Sequence, residues 1–506
     1  MTDGAKAAGR GTGDGVYALV GAGAVVLGPE APGPVRRPTW DHLRITQGVG
    51  VGIEAGRIAL VAPDGDVREW YEGRTRGRTD ARTRGGASEE ALAREAGAVR
   101  AVRPPQRAGA ASRGAAVQPG SAPAFEPEAA VRAELIDCGG RLVTAGLVDP
   151  HTHALFGAPR LEDHARCARG DDYKSIAAAG GGILQSMRDF RGRAEDDLVA
   201  LGRARLRWVA ALGTTTVEIK SGYGLEADAE LRALRAIRRL ADEGPLEVVA
   251  TFLGAHEVPP EYRPRREAWV RLLVEELIPR VGRERLAEFC DVFCEPGVFS
   301  LEESEAILTA ARAAGLGLKV HADELDPYGG AVGGPRLGAT SADHLGAISP
   351  AGVAALAASD TVAVLLPGTL LFLGKARQAP ARALVDAGAV VAVSSDFIPG
   401  SSPSANVPLM MTLAVSQARL QPEEAFAAAT VNAACAIGRG VDRGRIQAGG
   451  PADVTVWNCR DVRELAYWYG MPLAWRVFAS GSACRSPGGA VSSAGCELDP
   501  LSSPIS

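Results

Sequence analysis

The sequence predicts a (β/α)8 barrel of the TIM type that carries a small β domain built from both ends of the chain. Between about residues 145 and 440, eight apolar runs of strand length alternate with longer segments of helical period. Several of these runs end in histidine or aspartate. Further strand-like runs lie on both sides of this region. Because a barrel collects the carboxyl ends of its strands on one face, the polar residues there are expected to share one mouth.

The barrel strands are predicted from apolar runs that are too short for helices. They cover residues 143–149, 214–220, 246–253, 289–295, 316–321, 341–345, 361–366 and 389–394. The segments between them place alanine, leucine, arginine and glutamate at helical spacing. The clearest of these are residues 196–212, 227–241, 301–314 and 422–437.

The rest of the chain divides by composition. Residues 16–62, 129–144 and 441–480 are predicted to form the small β domain, with strands at 17–27, 49–61, 134–138, 444–446, 452–457 and 475–478. Residues 63–128 are rich in arginine, glycine and alanine and lack periodicity, which predicts a disordered insertion. Residues 1–15 and the tail 481–506 are also predicted to be disordered. The barrel itself spans 145–440.

Composition excludes several classes of protein. The chain has 506 residues, 46% of them hydrophobic and 23% charged, which is ordinary for a globular protein with a sizeable core. A net charge of −5 offers no basic field for nucleic acid. No apolar run is long enough to cross a bilayer, and the first residues lack the pattern of a signal peptide, so a cytoplasmic location is expected. The eight cysteines show no paired spacing and are expected to be reduced.

The strongest chemical signal is the pair His151 and His153 at the end of the first predicted barrel strand. Side chains two residues apart lie on the same face of extended backbone, so both imidazoles can reach one point. Two converging neutral imidazoles are the beginning of a metal site.

Other polar residues stand at the ends of later strands. His321 and His344 end the fifth and sixth runs, Glu324 follows His321 by three residues, Asp396 follows the eighth run, and His256 lies just beyond the third. Any one of them has an ordinary structural explanation as a hydrogen-bonded group at a strand end. Their common position favours a shared active site.

The motifs of this chain resemble those of the imidazolonepropionases, which belong to the amidohydrolase superfamily and catalyse the third step of histidine breakdown. The resemblance covers residues 145–440 closely. Its general motif is Asp-Pro-His-Thr-His at 149–153, and its specific ones are Ala-Ala-Gly-Gly-Gly-Ile at 178–183 and Glu-Ile-Lys-Ser-Gly-Tyr-Gly at 218–224. Further matches lie at 251–256, 319–324, 341–345 and 395–397.

The resemblance implies a role for each matching residue. One divalent metal ion, zinc or iron, would be held by His151, His153, His321 and Asp396. Catalysis would involve Glu324, His344 and Asp396. Substrate contacts would fall on Arg160, Tyr223, His256, Glu324, His344, Gly400 and Ser401. No lysine ends the fourth predicted strand, so the bridge of a two-metal site is not expected.

The implied reaction is the hydrolytic opening of the ring of 4-imidazolone-5-propanoate, a small-molecule substrate, to N-formimidoyl-L-glutamate, with a homodimer as the family expectation. Two other functions stay open: a ring deaminase with the same ligands, and a non-catalytic protein that binds a partner through the basic insertion. One position departs from the family pattern, because Ile398 stands where an asparagine is expected to contact the glutamate-like end of the substrate.

Overall fold

The computed structural model describes residues 15–76, 133–171, 175, 180–374 and 378–484. The following predictions lie outside this part of the chain: disorder at residues 1–14, most of the insertion at 77–128, positions 178 and 179 of the glycine-rich motif, and the tail from 485. Within the described ranges, no helix is long and apolar enough to cross a membrane.

Eighteen strands are described, and eight of them form the barrel. In chain order, the strands before the barrel are β1 (Val16–Val20), β2 (Ala24–Val26), β3 (Ile45–Thr46), β4 (Val49–Glu54), β5 (Arg57–Pro63), β6 (Ala133–Asp137) and β7 (Leu142–Ala145). The barrel strands are β8 (Leu147–Asp149), β9 (Thr214–Lys220), β10 (Glu247–Ala255), β11 (Phe289–Cys294), β12 (Gly317–Ala322), β13 (Ser341–His344), β14 (Val362–Leu365) and β15 (Val391–Val393). The last three are β16 (Val454–Trp457), β17 (Ala474–Ala479) and β18 (Ser482–Cys484).

The predicted barrel is confirmed. Strands β8 to β15 pair in parallel in chain order. A parallel bridge between Thr152 and Phe397, just beyond the first and last strands, closes the ring. Most strand residues are buried, as expected for parallel strands that are covered on both faces.

Helices cover the outside of the barrel. The longer ones are Leu161–Ala168, Ile183–Arg191, Glu195–Ala211, Ala227–Glu243, Leu301–Ala313, Pro350–Ala357 and Val407–Ser416. The shorter ones are Arg266–Leu272, Ile278–Glu284, Gly330–Arg336, Pro367–Phe372, Ala381–Ala387, Pro422–Ala428, Val431–Ala436 and Glu464–Tyr467. The helix predicted at 422–437 is therefore two helices, and the backbone leaves helical geometry at Thr430, with φ −128° and ψ −97°.

The predicted first barrel strand is divided between two sheets. Strand β7 pairs with β2 and β16, whereas β8 pairs with β9 in the barrel. Gly146 separates them, and a Cβ there would lie 2.2 Å from Thr215 Oγ1. Only a residue without a side chain lets the chain pass from one sheet to the other at this point.

Segments from both chain ends form two further sheets. One has the order β5-β4-β1-β6, and the other has the order β18-β17-β16-β7-β2-β3. A common apolar cluster that includes Tyr17, Val143, Val454 and Phe478 packs between their strands. The single strand predicted at 17–27 is split into β1 and β2, and residues 444–446 form no strand.

Two predictions of disorder are wrong in part. The insertion begins with a helix, Asp64–Thr75, that packs Val67 against Ala18 and Val20 of β1. Trp70 of this helix lies over Gly52, where a Cβ would come within 2.9 Å of the indole ring. The tail begins with β18, which pairs antiparallel with β17. Both segments are ordered by long-range packing that local composition does not encode.

Candidate active site

His151 and His153 lie in extended backbone just beyond β8, and their side chains turn into the barrel mouth. Both are buried, and their ring centroids are 5.4 Å apart. Thr152 points the other way and donates from Oγ1 to the Glu218 carbonyl at 2.6 Å. The alternation expected from the His-x-His spacing is therefore present.

The four predicted ligands come together. His151 Nε2 and His153 Nε2 lie 3.6 Å and 3.7 Å from Asp396 Oδ1. The ring of His321, in β12, is 4.6 Å from that of His151 and 5.7 Å from that of His153. The ligand atoms form two groups that share His151, each with its atoms within 4.8 Å of one another. One adds His153 and Asp396, and the other adds His321 and His344.

The unpaired atoms of this cluster suit a cation. His151 Nε2, His321 Nε2 and Asp396 Oδ1 are buried and have no hydrogen-bond partner among the described residues. Buried polar atoms are normally hydrogen-bonded, so several unpaired acceptors at one place require an explanation. Imidazole nitrogens and a carboxylate oxygen are the donors that zinc and ferrous iron accept, and the residues therefore fit such an ion.

Two of the imidazoles have a carboxylate behind them. His151 Nδ1 lies 2.6 Å from Asp343 Oδ2, and His321 Nδ1 lies 3.1 Å from Asp291 Oδ2. A proton on Nδ1 leaves Nε2 free as an electron-pair donor. Burial lowers the pKa of both His151 and His153 well below the ordinary value, so these rings are neutral, the form that binds metal.

Asp396 is fixed by a hydroxyl. Thr369 Oγ1 donates to Asp396 Oδ2 at 2.5 Å, which leaves Oδ1 facing the two histidines. Burial raises the pKa of Asp396 to about 7. A neighbouring cation would favour its ionised form.

Glu324 and His344 form a second pair at the mouth. Glu324 Oε2 lies 3.4 Å from His344 Nδ1, and the His344 ring is 5.1 Å from that of His321. Glu295 holds this loop by accepting hydrogen bonds from the Glu324 and Leu325 amides at 2.5 Å and 3.0 Å. The predicted proton-transfer group therefore has a fixed backbone beside the ligand cluster.

His256 and Tyr223 border the cluster on the other side. The His256 ring stacks on His153 at 5.0 Å, and Tyr223 is 5.8 Å from His256 and 6.2 Å from His153. Burial lowers the pKa of His256 to about 3, so the ring is neutral. Its Nδ1 lies 3.0 Å from the Gly222 carbonyl and must carry the proton, which leaves Nε2 as an acceptor.

Arg160 and Gly400 are in direct contact. A Cβ on Gly400 would lie 1.8 Å from Arg160 Nη2, so the guanidinium packs against the glycine backbone. Arg160 Nε is 3.4 Å from Asp163 Oδ2, and Asp163 also accepts from the Gly182 amide at 2.8 Å. The next residue, Ser401, is half-buried. Ile398 is half-buried and packs on the apolar core.

Sequence reasoning gave no role to a set of buried charges below the histidines. These are Glu218, Lys220, Asp291, Lys319 and Asp343, all fully buried within barrel strands. A signal was available, because Glu218 and Lys220 are two residues apart, as are Lys319 and His321 and the two histidines of the first motif. Charged residues on the inner face of buried strands are rarely incidental.

The chain is similar to known proteins along most of its length. A model of the "Amidohydrolase family" matches residues 174–466. Imidazolonepropionase of Bacillus velezensis is 45% identical over 71% of this chain and 85% of that protein. Imidazolonepropionase of Symbiobacterium thermophilum is 50% identical over 69% of this chain and 82% of that protein.

Two solved structures share the fold at low identity. E. coli guanine deaminase superposes with a TM-score of 0.62 at 13% identity, covering 93% of this chain and 99% of that one. An adenosine deaminase from Xanthomonas campestris with bound zinc gives 0.59 at 16% identity, covering 92% of each chain. At these identities the two structures support the fold alone. The sequence relatives, at 45% and 50% identity, show that the chain belongs to the imidazolonepropionase family of amidohydrolases.

Proposed function

We propose that this enzyme uses water to open the ring of 4-imidazolone-5-propanoate, yielding N-formimidoyl-L-glutamate in the third step of histidine degradation. The observation that carries the proposal is the buried set of His151, His153, His321 and Asp396, in which His151 Nε2, His321 Nε2 and Asp396 Oδ1 have no hydrogen-bond partner among the described residues. The names of the two bacterial relatives support this substrate.

The same four residues would hold one zinc or iron ion. An ion bound there supplies Lewis acidity, which lowers the pKa of water towards about 7 and polarises a carbonyl oxygen. His151 and His321 are held ready for it, since each directs Nδ1 at an aspartate. Thr369 keeps one oxygen of Asp396 occupied and the other turned to the site.

Glu324 is the proposed proton carrier. Its carboxylate takes a proton from the attacking water and delivers it to the ring nitrogen as the carbon–nitrogen bond breaks. The hydrogen bonds from two amides to Glu295 fix the backbone that presents this carboxylate. Asp396 is proposed to share this proton transfer, as the family resemblance implies.

His344 is the better candidate for stabilising the carbonyl oxygen as negative charge develops there. The single ring proton of His256 is on Nδ1, which donates a hydrogen bond to the Gly222 carbonyl, so Nε2 can accept but not donate. Once Glu324 has taken the proton from water, it can donate to His344 Nδ1, 3.4 Å away, and His344 then donates from Nε2 to the substrate oxygen. His256 and Tyr223 would instead receive the polar ring.

Arg160 is proposed to bind the propionate. A guanidinium matches a carboxylate with two parallel hydrogen bonds, and the bare backbone of Gly400 lets it lie flat at this place. Ile398 has no polar side-chain atom, so recognition of the tail depends more heavily on Arg160. We further propose a homodimer that acts in the cytoplasm, as the family resemblance implies. Light scattering on the purified chain measures the subunit number.

The deciding experiment combines elemental analysis with an absorbance assay. One zinc or iron per chain, together with loss of ultraviolet absorbance when fresh 4-imidazolone-5-propanoate is added, would support the proposal. Formimidoylglutamate as product without release of ammonia would separate ring opening from deamination. Metal without turnover of this substrate would contradict the proposed substrate and redirect the search to ring deaminase substrates.

A further inference from the structure

The buried charges below the histidines form one connected group. Lys220 Nζ lies 2.7 Å from Asp291 Oδ2, 2.9 Å from the Glu218 carboxylate and 3.8 Å from Asp343 Oδ2. Lys319 Nζ lies 3.5 Å from Glu218 and 3.7 Å from Asp343. Three carboxylates and two ammonium groups are thus packed together with no exposure of their side chains.

This group reaches the proposed metal ligands through two aspartates. Asp291 Oδ2, the oxygen bound by Lys220, is also the oxygen that lies 3.1 Å from His321 Nδ1. Asp343 Oδ2, near both lysines, lies 2.6 Å from His151 Nδ1. Asp291 therefore links Lys220 to His321 through contacts of 2.7 Å and 3.1 Å. Asp343 links Lys220 to His151 through a longer contact of 3.8 Å and one of 2.6 Å.

The contacts of Lys319 are different. Its ammonium donates to the carbonyls of Pro150 and Ala436 at 3.1 Å and 3.2 Å. It therefore supports the backbone that leads into His151, whereas Lys220 bonds only to carboxylates among the described residues. The two lysines belong to the same charged group, but Lys319 holds backbone carbonyls and Lys220 holds carboxylates.

Removing the Lys220 charge would leave Asp291 without its cation. Buried carboxylates repel one another, and one that loses its cation no longer keeps its position. As a result, Asp291 Oδ2 would no longer lie 3.1 Å from His321 Nδ1. The imidazole would then lose the contact that fixes its orientation and its tautomer.

We propose that Lys220 is a positioning residue of the metal centre, which acts on His321 through Asp291. This inference rests on the proposed function, because it needs the histidine cluster to bind a metal ion. It adds a determinant of metal affinity that touches neither the ion nor the substrate.

The test is the substitution Lys220→Met, which keeps the length of the side chain and removes its charge. Zinc affinity is measured by competition with a chromogenic chelator, and the site is also loaded with cobalt(II) to record its visible absorption. We expect zinc to bind about 10- to 100-fold more weakly and the cobalt spectrum to change in shape. Unchanged affinity and an unchanged spectrum in a folded Lys220→Met protein would overturn the proposal.

Arg439→Met is the matched control. Arg439 bridges Glu247 and Glu288 at the opposite end of the barrel, with a shortest contact of 2.8 Å. Its removal also takes a cation away from two carboxylates, although Arg443 still lies 3.3 Å from Glu247, so it tests whether loss of a buried cation by itself lowers zinc affinity. A purely structural role for Lys220 predicts that both variants lose stability and that both keep the zinc affinity of the unmodified protein.

A double variant guards against failure to fold. Lys220→Met combined with Asp291→Asn removes one charge of each sign and leaves no unpaired carboxylate at this contact. If Lys220 acts through Asp291, the double variant loses no more zinc affinity than Asp291→Asn alone. Losses that add would overturn the proposed route. Absence of zinc binding to the unmodified protein would instead reject the metal centre itself.

Discussion

Asp149 joins the first and last strands of the barrel through Ser395. Its Oδ2 accepts from Ser395 Oγ at 2.5 Å, and its Oδ1 accepts from the Ser395 amide at 2.9 Å. Asp149 also accepts from Ser394 Oγ, and that hydroxyl in turn accepts from the His151 amide at 2.9 Å. Two proposed metal ligands, His151 and Asp396, therefore flank one hydrogen-bonded junction.

We expect Asp149→Ala to destabilise the fold by about 3 kcal/mol, because the amide and hydroxyl groups of two serines lose a buried acceptor. Denaturant unfolding measures the loss. Asp360→Ala is the control, since Asp360 is fully exposed and pairs with Arg36 at the surface. Equal stability of the two variants would contradict a role for Asp149 in closing the barrel.

We expect Glu324→Gln to lower kcat by about 10²- to 10⁴-fold without changing metal content, because the amide cannot take a proton from water. Steady-state kinetics and elemental analysis on the same sample separate the two effects. Glu305→Gln serves as the control, since Glu305 forms an exposed ion pair with Arg336 and should leave kcat unchanged. Near-normal turnover by Glu324→Gln with metal bound would remove it from the mechanism.

We expect Gly400→Ala to raise KM at least about tenfold, because the new methyl group must displace the guanidinium of Arg160 and so costs charge-assisted hydrogen bonds to the substrate. Metal content should be unaffected. The comparison is Gly333→Ala, where a Cβ meets no described atom within 4 Å and KM should not change. A normal KM in Gly400→Ala would argue against Arg160 as the site of the propionate.

We expect removal of metal by a chelator to abolish activity and lower Tm, because an ion that binds the folded state stabilises it by mass action. Titration with zinc should then raise Tm with ion concentration, as followed by calorimetry. In His153→Ala this response should be much weaker. A Tm that is indifferent to zinc in the unmodified protein would count against a metal site at this cluster.

The sequence by itself determined the barrel and the meeting of its polar residues. Eight apolar runs separated by helical segments specify parallel strands, and the carboxyl ends of parallel strands meet by geometry alone. His151, His153, His321, His344 and Asp396 could therefore be placed in one mouth before any contact was known. The spacing of two in His-x-His required nothing beyond the pleat of a strand.

Only the tertiary structure decided what depends on partners that are distant in the chain. Lys220 and Asp291 are 71 residues apart, and nothing local to either marks the contact. The order of Asp64–Thr75 comes from packing on β1, although its sequence is polar and contains glycine. The carbonyl of Gly222, 34 residues away, determines which ring nitrogen of His256 carries the proton. The local sequence pattern determines on which face of a strand a side chain lies. The hydrogen bonds and charges that determine its protonation and orientation come from residues that only the folded chain brings near.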